Sequence, residues 1–312
     1  MRVFRNLDEI EHNKNTLVTL GTFDGIHLGH KEIIETVVKK ASDSDSRSFL
    51  ITFDPHPRKI VSSDNRIKLL CTLDEKLDIV KSFGMQNVFV VNFTREFSQQ
   101  SPEEFIQKYI IDGIGVKEIV IGYDHHFGKG RGGNVETLLE LGKEKGFDVT
   151  PIGEFKSGNE TVSSTKIRNA IVNGDCIKAT EMLGRYYSFS GVVVHGDNRG
   201  KELGYPTANL KVKDEDKLLP AIGIYAVECV IEGKKYYGLL SIGTRPTFYS
   251  EGSLVPEIYL FDFNQNIYDK IVTVNLVEKI RDEQKFSSAD ELIAQMNKDK
   301  KAGQEILTKL IN

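Results

Sequence analysis

Two histidines three residues apart, His27 and His30, stand in the glycine-punctuated stretch Gly21-Thr-Phe-Asp-Gly-Ile-His-Leu-Gly-His30. The apolar run Thr16-Leu-Val-Thr-Leu20 before it reads as a buried strand. After it, Ile33, Ile34, Val37 and Val38 recur at helical spacing within Lys31–Lys40. The two imidazoles therefore sit where a strand hands over to a helix. A helix start offers unpaired N–H groups and the positive end of a dipole, which together attract an anion. Histidines at i and i+3 share one face there, and both can donate hydrogen bonds to a phosphate. A plain strand-to-helix turn with solvated histidines is the alternative; the spacing at a strand end favours phosphate.

Three further clusters fit the same chemistry. Phe53-Asp-Pro-His-Pro57 closes a second strand, and its two prolines fix a loop that aims Asp54 and His56 at the same rim, although a merely rigid turn would read alike. Gly122-Tyr-Asp-His-His-Phe-Gly-Lys-Gly-Arg-Gly-Gly133 closes another strand and carries Asp124, His125 and His126 in a glycine-rich loop. In Val162-Ser-Ser-Thr-Lys-Ile-Arg168 the hydroxyls of Ser164 and Thr165 mark a helix start, with Arg168 one turn later facing the same anion. These groups suit nucleotidyl transfer onto a phosphate. Such an acceptor is already ionised at neutral pH, so positioning and charge neutralisation suffice without a general base.

The second half of the chain carries different groups. Gly196-x-x-x-Gly200-Lys201 imitates a Walker A loop but is one residue short and lacks the hydroxyl after the lysine, so it is not read as one. Thr207 and Asn209 alternate onto one side of an extended backbone, and their hard oxygens suit Mg²⁺ beside a nucleotide. Glu257 lies among apolar neighbours in Val255-Pro-Glu-Ile-Tyr-Leu260; such a carboxylate can act as general base toward an alcohol, or simply face solvent from a strand. Five of the seven histidines fall in the first-half motifs. There is no His-Glu-x-x-His and no thiolate pair to make them a zinc site.

The elements that must position these groups follow from hydrophobic patterning. Up to about residue 180, strand-like runs (Ser48–Phe53, Asn87–Phe93, Glu118–Gly122) alternate with helical patterns (Thr72–Phe83, Pro102–Ile111), and Ser101-Pro-Glu-Glu104 forms a capping box. Uninterrupted apolar strands separated by helices predict a parallel sheet covered on both faces, with ligands at the carboxyl ends of its strands. From about Tyr186 the runs Ser188–His195, Gly223–Ile231, Lys235–Ile242, Val255–Phe263 and Ile271–Lys279 follow one another without helices, with Glu232-Gly233 and Asn264-Gln-Asn266 as hairpin turns. This predicts a small antiparallel β-barrel. Ser288-Ala-Asp-Glu291 then caps a last amphipathic helix reaching about Leu310. A Rossmann-like α/β domain over 1–183 and a β-barrel domain over 184–312 are the expected division.

At 312 residues, two domains are the natural expectation. Its 39% hydrophobic and 28% charged residues are those of a soluble globular protein. A net charge of −4 argues against nucleic acid as partner. Three scattered cysteines, no signal peptide and no run of ~20 apolar residues predict a cytoplasmic protein without a membrane span.

The first ten-residue stretch resembles the signature of the HxGH nucleotidyltransferase superfamily. The whole chain resembles the bacterial bifunctional riboflavin kinase/FAD synthetase family, through GTFDGIHLGH, FDPHP, VSSTKIR, LGYPTANL, SIGTRPTF, the Glu257 strand and Ile280-Arg-Asp-Glu-Gln-Lys-Phe286 in order. The resemblance implies that the barrel phosphorylates riboflavin to FMN with ATP, and that the first domain adenylylates FMN to FAD with release of pyrophosphate. It implies ATP contacts by Gly21, Phe23, Asp24, His27, His30, Ser164, Thr165 and Arg168, with Asp54, His56 and Asp124 toward the flavin. In the kinase it implies ATP and Mg²⁺ contacts by Gly196, Gly200, Lys201, Thr207 and Asn209, Glu257 as base, and Arg281 in a loop over the flavin. The family's usual Asp-Phe-Arg-Phe-Gly stands here as Asp124-His-His-Phe-Gly128, its Tyr-Gly-Lys as Tyr268-Asp-Lys270, and its Asn before Phe-Asp-Gly as Thr22. Two other readings compete: an adenylyltransferase for another phosphate carrying an inert barrel, and a flavin-sensing regulator. The presence of Thr207, Asn209 and Glu257 speaks against the first, and the lack of a basic or helix-turn-helix segment against the second.

Overall fold

The computed structural model describes residues 1–62, 67–195, 204–244 and 254–311. The chain divides into two compact units, Met1–Ser164 and Thr165–Asn312.

The first unit is built on six parallel strands: β1 (Arg2–Phe4), β2 (Thr16–Leu20), β3 (Arg47–Asp54), β4 (Asn87–Asn92), β5 (Glu118–Gly122) and β6 (Asp148–Ile152), in the order β1-β4-β3-β2-β5-β6. All five residues of β2 are buried, as its unbroken apolar run requires of a strand covered on both sides. Alternation sends its side chains to two cores. Leu17 packs with Ile34 and Val37 of α1 (Leu28–Asp43), while Val18 and Leu20 join Ile106, Ile110 and Leu138 on the other face. Ile34 and Val37 are fully buried, each stabilising by about 1.5–3 kcal/mol.

After α2 (Pro57–Val61), which buries none of its residues, α3 (Leu73–Ser82), α4 (Pro102–Phe105) and α5 (Val135–Lys145) pack on the sheet. The capping box at Ser101 and Glu104 forms as expected. Past its first turn this helix widens into a π-helix over Ile106–Ile114 and ends at Gly115. Gly115 has φ +81, and a Cβ there would lie 2.5 Å from the Asn13 carbonyl carbon.

The second unit opens with α6 (Ser164–Val172, whose first residue still belongs to the first unit) and α7 (Cys176–Leu183). Six antiparallel strands then close a barrel: β9 (Tyr187–Val194), β10 (Ala208–Val212), β11 (Gly223–Ile231), β12 (Lys234–Thr244), β13 (Leu254–Leu260) and β14 (Ile271–Arg281), counting the short hairpin strands Lys156–Ser157 and Glu160–Thr161 of the first unit as β7 and β8. The barrel order is β10-β13-β12-β11-β14-β9, closed by β9 on β10. Glu232 and Gly233, at φ +50 and +78, form the expected tight turn between β11 and β12. Asn264–Asn266 does not form the other expected hairpin. It lies in the connection from β13 to β14, which are not neighbours: β13 pairs with β12 and β10, β14 with β11 and β9. Barrel closure consumes both edges of β13, so the chain must cross to reach its next partner. The final helix α8 (Ala289–Ile311) sets Leu307 against Ala226 and Val277 on the outer surface of the barrel.

Candidate active sites

In the first unit β3 lies on one side of β2 and β5 on the other, so the strand order switches beside β2. The segments leaving β2, β3 and β5 at their carboxyl ends, 21–30, 54–56 and 122–124, emerge along one edge of the sheet. His27 is the N-cap of α1: its Nδ1 accepts from the His30 N–H at 3.3 Å. The His27 and His30 rings stack with centroids 3.6 Å apart and planes 16° apart, and Phe23 meets His30 edge-on at 5.2 Å. The imidazoles thus sit at the positive end of a sixteen-residue helix, His27 buried and His30 half-buried.

The loop carrying them is held under strain. Phe23 and Ile26 take φ +47 and +39, and Gly25 takes φ +82. Two L-residues in the left-handed region persist only where the surroundings over-determine them. The clamp here is Asp24, 2% exposed, whose carboxylate accepts the Leu70 and Cys71 N–H groups at 3.0 and 3.2 Å. The Gly25 N–H donates to Cys71 Sγ at 3.1 Å. Gly21 follows β2 directly, its N–H donating to the Ile51 carbonyl. The Ser164 hydroxyl donates to the Asp24 carbonyl at 2.9 Å, tying the start of α6 to the loop. Thr165 and Arg168 continue the same helix in the second unit.

Asp54 is exposed at the end of β3 and leads through a cis peptide bond into Pro55. His56 caps α2, its Nδ1 accepting the Arg58 N–H at 3.1 Å. Asp124 is exposed after β5, and its carbonyl lies 2.9 Å from His126 Nδ1. His125, which stands where the family usually has phenylalanine, packs its ring along Phe127 at 5.9 Å. Its Nε2 is shut off from water without a hydrogen-bond partner, and burial pushes the imidazole down to about 4.

In the barrel, Asn209 on β10 and Ser241 on β12 are the cross-strand partners of Glu257 on β13. Directly opposed residues share a face, so three polar side chains form a row. Thr207 Oγ1 lies 3.4 Å from Glu257 Oε2. Asn209 is buried and Glu257 half-buried. The row shares its face with Leu239 and Ala226, the surface beside α8, whereas Leu240 and Ile258 occupy the opposite face. Ser241 opens the SIGTRPTF motif, but the sequence alone gives it no chemical task; only the register of β12 on β13 sets it opposite Glu257. Gly196, Gly200 and Lys201 lie outside the described residues.

Arg281 is engaged elsewhere. Its Nε and Nη2 donate to the Asp299 carboxylate of α8 at 2.9 and 2.7 Å, and its Nη1 donates to the Asp282 carbonyl. Asp299, 3% exposed, also accepts from Gln295 Nε2 at 2.8 Å. This bidentate pair fixes the end of β14 to the last helix.

The family model for FAD synthetase matches residues 9–166 and that for riboflavin kinase residues 183–307. The curated bifunctional riboflavin kinase/FMN adenylyltransferase of Listeria monocytogenes is 35% identical, over 95% of this chain and 94% of its own. That of Bacillus subtilis is 36% identical, over 93% and 92%. This chain belongs to the bifunctional riboflavin kinase/FMN adenylyltransferase family. The Escherichia coli relative agrees at 33% identity over 98% and 97%. A crystal structure described as a macrolide-efflux protein from Streptococcus pneumoniae superposes with a TM-score of 0.87 at 32% identity, over 95% of this chain and 96% of its own. Among the described residues here, no helix is long and apolar enough to cross a membrane.

Proposed function

We propose that the two units divide the family's two reactions between the two sites just described. This chain converts riboflavin and ATP to FMN, then FMN and ATP to FAD and pyrophosphate. The assignment of residues rests on one observation above all: a carboxylate with hydroxyl and amide partners occurs in the barrel, while the paired histidines at a helix mouth occur at the sheet. For function the domains are taken as 1–183 and 184–312; the start of the riboflavin kinase match at residue 183 supports this boundary, whereas the structural division falls between Ser164 and Thr165.

In the kinase, the riboflavin hydroxyl oxygen attacks the γ-phosphorus of ATP, its proton passes to Glu257, and ADP leaves. Thr207 donates toward Glu257 and orients it, and Asn209 stands opposite Glu257 on the neighbouring strand. The donor set fits Mg²⁺: hard hydroxyl and amide oxygens beside a carboxylate, with no cluster of three His, Cys, Asp or Glu among the described residues to favour a softer ion. When bound, Mg²⁺ neutralises phosphate charge. Arg281, through Asp299, anchors the loop that follows β14 as a cover over the flavin.

In the adenylyltransferase, the FMN phosphate attacks the α-phosphorus and pyrophosphate leaves. His27, His30 and the α1 N-terminus stabilise the charge gathering on the leaving group, joined by Ser164; the family resemblance adds Thr165 and Arg168 as ATP contacts. Gly21 and Phe23 let the backbone approach the nucleotide, Asp24 keeps them in place, and Asp54, His56 and Asp124 border the flavin side. Three free, buried cysteines fit a reducing cytoplasm.

Incubation with riboflavin, ATP and Mg²⁺ tests this reading. FMN followed by FAD is expected; FMN alone would remove the first site, and neither product would leave a flavin binder.

A further inference from the structure

Lys76 buries its ammonium beside the histidine loop. It lies in the second turn of α3 and is 6% exposed. Its Nζ donates to the Thr22 carbonyl at 2.7 Å and to Thr52 Oγ1 at 3.1 Å, and Thr52 Oγ1 itself donates to the same carbonyl at 3.2 Å. Both partners are neutral oxygens. No carboxylate pairs with Lys76 among the described residues. A buried ammonium without a counter-charge is expensive, and such a group persists where an anion completes it or where its field is used.

Its position says which anion. Thr22 is the first residue past Gly21 in the loop that leads to His27 and His30. Thr22 C=O and Phe23 N–H belong to one planar peptide and point in opposite directions. Lys76 holds the carbonyl end. The Phe23 N–H has no acceptor in the protein among the described residues. A cation on the carbonyl polarises the amide and strengthens its N–H as a donor. We propose that Lys76 is a positioning residue of the adenylyltransferase site, its buried charge acting through the Thr22–Phe23 peptide to fix the histidine loop and strengthen its hold on the ATP phosphates. The inference rests on reading His27 and His30 as the phosphate site.

The test compares Lys76→Met, Lys76→Gln and His30→Ala in the full chain. The measured quantities are the pyrophosphate Kd by calorimetry, KM for ATP and for FMN in FAD synthesis, and riboflavin phosphorylation as a check of folding. Lys76→Met should raise the pyrophosphate Kd and KM for ATP about tenfold, leaving KM for FMN and the kinase within twofold. Lys76→Gln keeps N–H donors for Thr22 and Thr52 without the charge and should show the same loss, which serves if the Met variant does not fold. A variant that loses thermal stability but binds pyrophosphate within twofold of the parent makes Lys76 a structural group and overturns the proposal. His30→Ala separates the two failures: if it too leaves pyrophosphate binding intact, the phosphate site itself is misplaced and the proposal falls with it.

Discussion

Glu257→Gln removes charge and basicity from the barrel site while keeping side-chain length and an oxygen that still accepts from Thr207 Oγ1. The neighbours that hold the position are the cross-strand partners Asn209 and Ser241 and the ladder of β13 with β10 and β12, none of which depends on the carboxylate being charged. The barrel should therefore fold. The riboflavin hydroxyl is neutral at working pH, so its proton must depart as the oxygen–phosphorus bond forms. A positioned base supplies about 10²–10⁴-fold in such a step, equivalent to about 2.7–5.5 kcal/mol of barrier. The assay quenches a reaction of riboflavin, ATP and Mg²⁺ and separates riboflavin, FMN and FAD by chromatography; a second reaction starts from FMN. FMN formation should fall by about 10²–10⁴-fold, while FAD formation from supplied FMN stays within twofold. FMN formation within tenfold of the parent refutes Glu257 as the base. A parallel fall of both reactions with an unchanged circular dichroism spectrum refutes the division into two independent sites.

His30→Ala should lower FAD synthesis from FMN by about 10²-fold and spare riboflavin phosphorylation, read by pyrophosphate release against FMN production. Asp299→Ala strands the Arg281 guanidinium in a largely buried setting, at a cost of about 3 kcal/mol, near the low end for a buried pair because Arg281 keeps some solvent contact; the calorimetric transition of the second unit should fall by about 6–12 °C. Burial holds the His125 imidazole near 4 against an ordinary 6.5, so below pH 6.5 the unfolded chain takes up a proton that the folded one refuses until about pH 4. Stability should therefore drop by about 2 kcal/mol between pH 7 and pH 5 from this residue, and His125→Phe should flatten that part of the urea-midpoint profile.

The boundaries of β2, β5 and β11 were legible residue for residue, since each is an apolar, β-branched run flanked by polar or glycine residues. The strands β1, β6 and β10 carried no such signal. β1 has three residues, β6 contains Pro151 and β10 follows Pro206; only pairing with partners far along the chain makes them strands. The same limit applies at the sites. His27 and His30 announce themselves through local spacing, and so does the Thr207–Asn209 pair. Asp24 reads as a nucleotide contact, and only the fold brings Leu70 and Cys71 to its carboxylate from 46 and 47 positions away. Arg281 likewise meets Asp299 across 18 positions and a change of element. Local spacing encodes which chemistry is available; the residues that hold it in place come from contacts that no short window contains.

On the proposed division of the two reactions, the two architectures also explain why only one site would need a base. A parallel sheet delivers its strand ends to one edge, with helix N-termini beside them, so its natural product is a field that neutralises anions. That suffices when the acceptor is the already ionised phosphate of FMN. An antiparallel barrel has no such alignment of helix ends, but its register sets side chains of neighbouring strands about 4.5–5.5 Å apart. The row Asn209, Glu257 and Ser241 uses that spacing to place a carboxylate between polar groups, which is what an alcohol acceptor requires. Removing charge at the sheet should therefore act through phosphate binding, as with Lys76, and removing it at the barrel through proton transfer, as with Glu257. A barrel variant that lost ATP affinity but kept its rate of phosphoryl transfer at saturation would break this correspondence.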